Sequence, residues 1–196
     1  TSLSVEEINA DPELRTIAIA GGRAAFKVNC VQCHGSGAEG GPGYPNLNDD
    51  AWLWGGSLDQ IHLTLVHGIR SDDPDARIGD MPAFGRDGIL EAPQISATAA
   101  YVMTLSGEAP PEGADLALGE ETFLANCAAC HGENGEGNRD LGSANLSDRE
   151  WLYGGDHETI VASIENGRAG VMPAWGERLD PVTVKSLAVY VHALGG

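Results

Sequence analysis

The motif Cys-x-x-Cys-His occurs twice in this chain, at residues 30–34 and at residues 127–131. The two motifs contain all four cysteines of the sequence. Their spacing places both thiols on one side of a helical turn, with the His imidazole on the same side. This arrangement is typical of covalently attached haem, with the His as an axial iron ligand. We therefore predict two covalently bound haem c groups, with thioether bonds and axial histidines at Cys30, Cys33, His34, Cys127, Cys130 and His131.

Zinc ribbons, thiol redox centres and disulfide frameworks also use paired cysteines, but each fits the sequence less well. A zinc ribbon needs two Cys pairs at a short separation, whereas these pairs lie far apart and each is followed by His-Gly. A thioredoxin-like pair would begin a helix inside a βαβ unit, and the sequence predicts no such strands. A disulfide framework would leave the two histidines without a role.

The motifs belong to an internal repeat that covers most of the chain. Residues 22–35 align with residues 119–132, and residues 81–85 align with residues 172–176. Because the matching segments occur in the same order, the sequence predicts a duplicated domain.

The predicted domain division is linear along the chain. Two prolines, a glycine and three acidic residues lie between the halves and favour a short, stiff linker. We predict an N-terminal arm at 1–20, a first domain at 21–107, a linker at 108–115 and a second domain at 116–196.

Apolar periodicity predicts helices in both halves and little strand. The loops are long and rich in glycine and proline, so they need something large to pack on. The sequence therefore predicts an all-α fold of two tandem class I cytochrome c domains, each wrapped around one haem. Asn9 to Glu13 reads as a helix start, with Pro12 near the first position. The predicted helices span residues 14–28, 58–66, 95–105, 116–128, 157–164 and 181–194.

The second axial ligand of each iron has to come from elsewhere in the sequence, and Met81 and Met172 are the candidates. Each is followed by Pro-Ala-aromatic-Gly, and the two hold equivalent positions in the repeat. The third methionine, Met103, aligns with His192, and we expect both to be packing or surface residues. We expect each half to use its own Met.

The remaining histidines are not repeated between the halves. His62, His67 and His157 are therefore expected to be structural, although His67 is an alternative ligand for the first iron. Two interpretations stay open for five further residues. They are either partners of the haem propionates or ordinary packing and loop residues: Trp52, Trp151, Arg70, Arg77 and Arg168.

The formal net charge of −18 limits the class of partner. An acidic surface repels phosphate backbones and anionic lipid, so nucleic-acid binding is not expected. The sequence begins at Thr1 with neither a signal peptide nor an apolar run of membrane-spanning length. It therefore reads as a mature or trimmed product.

Longer stretches of the chain resemble a known family. Residues 67–90 resemble the first cytochrome domain of the dihaem subunit of cbb-type cytochrome c oxidases, and residues 151–155, 164–168 and 172–175 resemble its second domain. Residues 7–12 are similar to the segment that follows the membrane anchor of that subunit. The chain is thus similar to the soluble portion of such a subunit, without its N-terminal anchor.

The resemblance implies a periplasmic arm on the bacterial inner membrane. Such an arm takes electrons from a basic soluble cytochrome c and passes them towards the oxygen-reducing subunit. Its partners would be the catalytic and monohaem subunits, so the chain itself is not expected to be an enzyme. Two alternatives stay open: a free periplasmic dihaem shuttle, and a dihaem redox enzyme with one displaceable axial ligand.

Overall fold

Helices are the only regular elements of residues 2–195, which are the residues that this computed structural model describes. In that part of the chain the loops contain isolated β-bridges and no strand. The prediction of an all-α chain is confirmed, and no helix there is long and apolar enough to cross a membrane. The helices are α1 (Val5–Ala10), α2 (Pro12–Asn29), α3 (Val31–His34), α4 (Leu58–His67), α5 (Ala92–Leu105), α6 (Leu116–Asn126), α7 (Ala128–His131), α8 (His157–Asn166) and α9 (Pro181–Gly195).

Local sequence explains the main helix boundaries. The Asp11 side chain accepts hydrogen bonds from two backbone N–H groups of the first turn of α2, and Pro12 occupies its first position. The predicted helix start at this proline is confirmed. Gly68 and Gly167 end α4 and α8 with φ of 74° and 69°, a conformation that suits glycine.

Two compact units divide the chain differently from the predicted linear domains. Unit 1 combines the described residues of 1–78 with those of 170–196, and unit 2 is 79–169. The predicted linker, 108–115, lies within unit 2. The predicted arm, 1–20, is not separate from the first domain, because α2 runs through residue 20 without a break.

The division differs because the last helices of the two halves are exchanged. The helix that ends the first half, α5, packs on α6 at the start of the second half, whereas α9 packs on α2. Each unit thus contains one Cys-x-x-Cys-His motif, and the helix that packs against the helix before that motif comes from the other half.

In unit 1, α2 and α9 approach closely at Gly22. A Cβ at this position would overlap the backbone carbonyl of Ser186 and lie 2.6 Å from Tyr190 Cβ. One turn further on, the Phe26 ring meets the Tyr190 ring edge-on, with centroids 5.5 Å apart. Phe26 and Leu187 are almost completely buried in this core, and each such side chain contributes about 2 kcal/mol to stability.

Unit 2 repeats this helix crossing with other residues. A Cβ at Gly119 in α6 would overlap the Ala97 carbonyl of α5 and lie 2.9 Å from Tyr101 Cβ. The Tyr101 and Phe123 rings pack with centroids 5.4 Å apart, and Phe123 is fully buried. The crossing brings α5 against the helix that leads into the second Cys-x-x-Cys-His motif.

Candidate functional site

The two cysteine motifs adopt the same local structure. Each forms one helical turn, in which the backbone N–H of His34 or His131 donates to the carbonyl of Cys30 or Cys127 at 2.9 Å. All four cysteines are free thiols, and in each motif the first is buried while the second is exposed. Each pair is therefore available for attachment to a group that reaches from the core to the surface.

Burial changes the chemistry of the inner thiols. It raises the pKa of Cys30 and of Cys127 to about 11, with the neighbouring cysteine of each motif as a smaller cause. These thiols stay protonated at neutral pH. A reactive thiolate would need the opposite shift of the thiol pKa, so the structure disfavours a nucleophilic cysteine here.

Both motif histidines are held as neutral imidazoles. The Nδ1–H of His34 donates to the Pro45 carbonyl at 3.1 Å, and that of His131 donates to the Ala144 carbonyl at 2.8 Å. Burial lowers the pKa of both rings, partly offset by these hydrogen bonds. With Nδ1 protonated, Nε2 carries the lone pair that an axial iron ligand needs.

Sequence reasoning missed these two carbonyl acceptors, although the repeat marks their position. Pro45 and Ala144 each precede the repeated Asn-Leu pair. Their loops fold alike, because Gly40 N–H donates to the His34 carbonyl at 2.8 Å and Gly137 N–H donates to the His131 carbonyl at 2.7 Å. The loop after each motif therefore turns back to orient its imidazole.

The structure places each axial Met candidate with the motif of the other half. Met172 packs against the buried cluster that contains Cys30, and Met81 packs against the cluster that contains Cys127. We expected each half to use its own Met, and the observed packing is the reverse. The exchange of α5 and α9 accounts for it, because each Met loop lies close in sequence to the exchanged helix.

Short backbone pairings hold these Met loops in place. In unit 1 Ile69 and Met172 exchange N–H···O hydrogen bonds of 2.9 and 3.0 Å. In unit 2 Met81 and Arg168 do the same, also at 2.9 and 3.0 Å. The residue that follows the C-terminal glycine of α4 therefore holds Met172, and the residue that follows the C-terminal glycine of α8 holds Met81.

The third methionine and two of the unrepeated histidines have structural contacts. Met103 packs against the core of unit 2, and the His192 Nδ1–H donates to the Gly56 carbonyl at 3.0 Å. His67 Nδ1 lies 3.0 Å from a carboxylate oxygen of Asp73. Trp52, one of the possible propionate donors, donates its indole N–H to the Gly195 carbonyl at 3.2 Å.

The donor set of each unit fits one haem c. It consists of two free thiols, one imidazole whose Nε2 is unprotonated, and one thioether packed on the same cluster. Thiols for covalent attachment and a nitrogen–sulfur axial pair are what a c-type cytochrome uses.

Comparison with protein families agrees with this chemistry. Residues 19–106 match the family model described as Cytochrome c, and residues 114–191 match the model described as Cytochrome C oxidase, cbb3-type, subunit III. The chain is therefore a c-type cytochrome with two cytochrome c domains. The family models match continuous stretches of the sequence, whereas each compact unit of the structure takes its last helix from the other half.

Comparison with individual proteins identifies the family of this cytochrome more closely. The chain is 53% identical over 193 residues to the cbb3-type cytochrome c oxidase subunit FixP of Bradyrhizobium sp. (strain ORS 278), covering 98% of this chain and 67% of that protein. It is 56% identical over 195 residues to FixP of Azorhizobium caulinodans, covering 100% and 66%. To subunit CcoP of Cereibacter sphaeroides it is 53% identical over 190 residues, covering 96% and 65%. The chain belongs to this FixP/CcoP family of cbb3-type oxidase subunits and spans about two thirds of the length of these relatives.

Proposed function

We propose that this chain carries electrons within a cbb3-type cytochrome c oxidase, with one covalently bound haem c in each unit. The observation that carries the proposal is the complete donor set in each unit. Each unit contains a free Cys pair, a neutral His held by a backbone carbonyl, and a Met that packs against the same buried cluster as the first cysteine.

Each residue has a defined part in this proposal. Cys30 and Cys33 form the thioether bonds of unit 1, where His34 and Met172 are the axial ligands. In unit 2 the thioether bonds are formed by Cys127 and Cys130, and the axial ligands are His131 and Met81. A haem c held by these residues supplies the one-electron couple of its iron. The thioether ligand favours the reduced state and so raises the reduction potential.

The proposed ligands leave no open position for a substrate. His34 and Met172 would hold the iron in unit 1, and His131 and Met81 would hold it in unit 2, which suits electron transfer and not oxygen chemistry. We therefore assign dioxygen reduction to another polypeptide of the oxidase. We propose the catalytic and monohaem subunits as partners, a basic soluble cytochrome c as donor, and the periplasmic face of the inner membrane as the location.

Haem content tests the first part of the proposal. We expect mass spectrometry of the holoprotein to show two added haems, and haem staining to persist after denaturing electrophoresis. Carbon monoxide should leave the reduced spectrum largely unchanged, because a His and a Met of this chain would hold each iron. Haem that is lost on acid–acetone extraction would contradict covalent attachment.

The crossed assignment of the Met ligands has its own test. A Cys30→Ser/Cys33→Ser variant should retain only the haem of unit 2. In that background Met81→His should lower the remaining midpoint potential, because an imidazole replaces the thioether. The matched Met172→His change should leave this midpoint nearly unaltered. A lowered midpoint for Met172→His together with an unaltered midpoint for Met81→His would contradict the crossed assignment and support the assignment of each Met to the motif of its own half.

A further inference from the structure

Unit 1 contains an arginine that is held on an aromatic ring. The Arg77 guanidinium lies 5.3 Å from the centroid of the Trp54 ring. Its Nε donates to the Thr64 hydroxyl at 2.8 Å, and its Nη2 donates to the Gln60 carbonyl at 3.2 Å. We call these contacts the unit 1 cradle. Burial lowers the pKa of Arg77, so the cradle holds a positive charge that has lost part of its hydration.

Unit 2 holds Arg168 in a similar cradle. Its guanidinium lies 3.8 Å from the centroid of the Tyr153 ring, close enough for a cation–π contact. Nε and Nη2 donate to the Ser163 hydroxyl at 3.1 and 2.8 Å. The backbone of Arg168 is paired with Met81. The unit 2 cradle therefore lies directly beside the proposed axial Met.

The two arginines reach their cradles from positions that do not align in the repeat. Arg168 aligns with Ile69, whereas Arg77 comes from the longer loop after Ile69 in the first half. In unit 1 Ile69 pairs with Met172 on one side and with Arg77 on the other. Two different chain positions thus place an arginine next to a Met loop in each unit.

Neither cradle arginine has an acidic partner among residues 2–195. Two other arginines of the chain form exposed ion pairs, Arg86 with Asp87 and Arg149 with Glu108. Acidic residues outnumber basic ones by 29 to 11, so partners are abundant. Arg77 and Arg168 instead donate only to neutral oxygens. Because a partly buried charge without a counter-ion is unfavourable, both cradles suit a bound anionic group.

We propose that Arg77 and Arg168 each bind a propionate carboxylate of the haem held in the same unit. This inference rests on the proposed function. Thr64 and Ser163 stand on α4 and α8 next to Leu65 and Ile164, which are buried in the clusters that contain the motif cysteines. Together with the backbone pairings to the Met loops, these neighbours place each cradle beside proposed haem ligands of its own unit. The aromatic ring and the hydroxyl fix the plane of the guanidinium, which suits a planar, two-bond contact with a carboxylate.

Midpoint potentials of the dihaem holoprotein test this inference. Arg77→Gln and Arg168→Gln should each lower one midpoint, and the two changes should affect different haems. The reason is that an uncompensated propionate stabilises the ferric state. The propionate pKa should also rise, so that the lowered midpoint becomes pH-dependent between about pH 5 and 8. The Lys variants of both sites keep the charge but lose the planar contact, so their midpoints should lie closer to the wild type than those of the Gln variants.

Two controls separate the possible outcomes. Arg86→Gln and Arg149→Gln remove the same charge from exposed positions and should move neither midpoint. Full haem loading with midpoints equal to these controls would overturn the propionate contacts and leave the proposed function intact, whereas a wild type without haem would overturn the proposed function. If a Gln variant loses its haem, the Lys variant decides. Restored loading with a midpoint near that of the wild type supports the inference, and failure of Lys to restore it contradicts a charge-based role.

Discussion

Single aspartates cap two helices that carry core residues of the two units. Asp156 precedes α8 and accepts hydrogen bonds from the Thr159 N–H and hydroxyl, at 3.0 and 2.6 Å. Asp180 precedes α9 and accepts from the backbone N–H groups of Val182 and Thr183, each at 3.0 Å. Hydrogen bonds from the threonine side chains are the main reason why the pKa of both carboxyl groups is lowered. Each contact links one ionised side chain to the start of a helix.

The lowered pKa values predict how stability changes with pH. Because the folded pKa lies below the unfolded value of about 3.9, the stabilisation by each carboxylate is fully present above that value. It is lost as the pH falls through the folded pKa. Asp156→Asn and Asp180→Asn should therefore be less stable than wild type at neutral pH, and the difference should shrink in acid. Urea unfolding at several pH values measures this, with the exposed Asp140→Asn as control. A difference that is constant down to pH 2 would contradict it.

Helix pairs are the elements that decide which segments share a proposed haem site. The crossings of α2 with α9 and of α5 with α6 use a glycine in one helix and a tyrosine in the other. At Gly22 and Gly119 the partner backbone occupies the place of a Cβ. Close packing of this kind leaves no room for a side chain.

Substitution of the crossing glycine of α2 tests this. Gly22→Ala should destabilise unit 1 by about 1 to 3 kcal/mol, because the new methyl group overlaps the Ser186 carbonyl. The adjacent Gly21→Ala is a matched control. Its Cβ would lie 3.8 Å from Ser186 Oγ, and alanine favours the helix more than glycine does. Thermal or urea unfolding of the two holoproteins measures the difference. Equal stability of both variants would show that the crossing tolerates a methyl group.

The sequence predicted the elements better than it predicted their pairing. The six predicted helices are present, and the short α1 is the main addition. The exchange of α5 and α9 was missed because the two halves carry the same pairing residues. Gly22 and Phe26 of the first half align with Gly119 and Phe123 of the second half, and Tyr101 aligns with Tyr190. The helix that carries either tyrosine can therefore pack on the helix that carries either glycine, and the local sequence does not indicate which of the two pairings forms.

The candidate site shows the same limit. The cysteines and histidines were predicted because covalent attachment needs a short, fixed spacing in the sequence. The Met candidates were also found from the repeat, but their partners depend on the helix exchange. The cradle arginines were left open, because Arg77 and Arg168 occupy positions that do not align. Contacts that form only through tertiary packing have no such sequence pattern.

At the scale of the whole molecule, the dominant property is the charge of −18. A field of this size attracts basic proteins over a long range and raises their encounter rate without tight binding. That suits the proposed donor, which must dissociate after each electron. The sequence makes the loop acids Asp72, Asp73 and Asp75 candidates for part of the docking surface. The structure leaves Asp72 and Asp75 exposed, whereas Asp73 accepts hydrogen bonds from His67 and from the Asp75 backbone. Asp72 and Asp75 are therefore the better candidates.

Stopped-flow reduction by a lysine-rich soluble cytochrome c tests this steering. The second-order rate should fall steeply with added salt, because exposed charges interact over about 8 Å at physiological ionic strength. Asp72→Asn/Asp75→Asn should lower the rate at low salt, and the variant and wild type should converge at high salt. Glu112→Gln/Glu121→Gln removes the same charge from exposed positions elsewhere in the chain and should have a smaller effect. A rate that is independent of salt, or faster reduction by an acidic donor of similar potential, would contradict steering by the acidic surface. Equal effects of the two double variants would instead show that the net charge acts as a whole, without a local docking surface at residues 72–75.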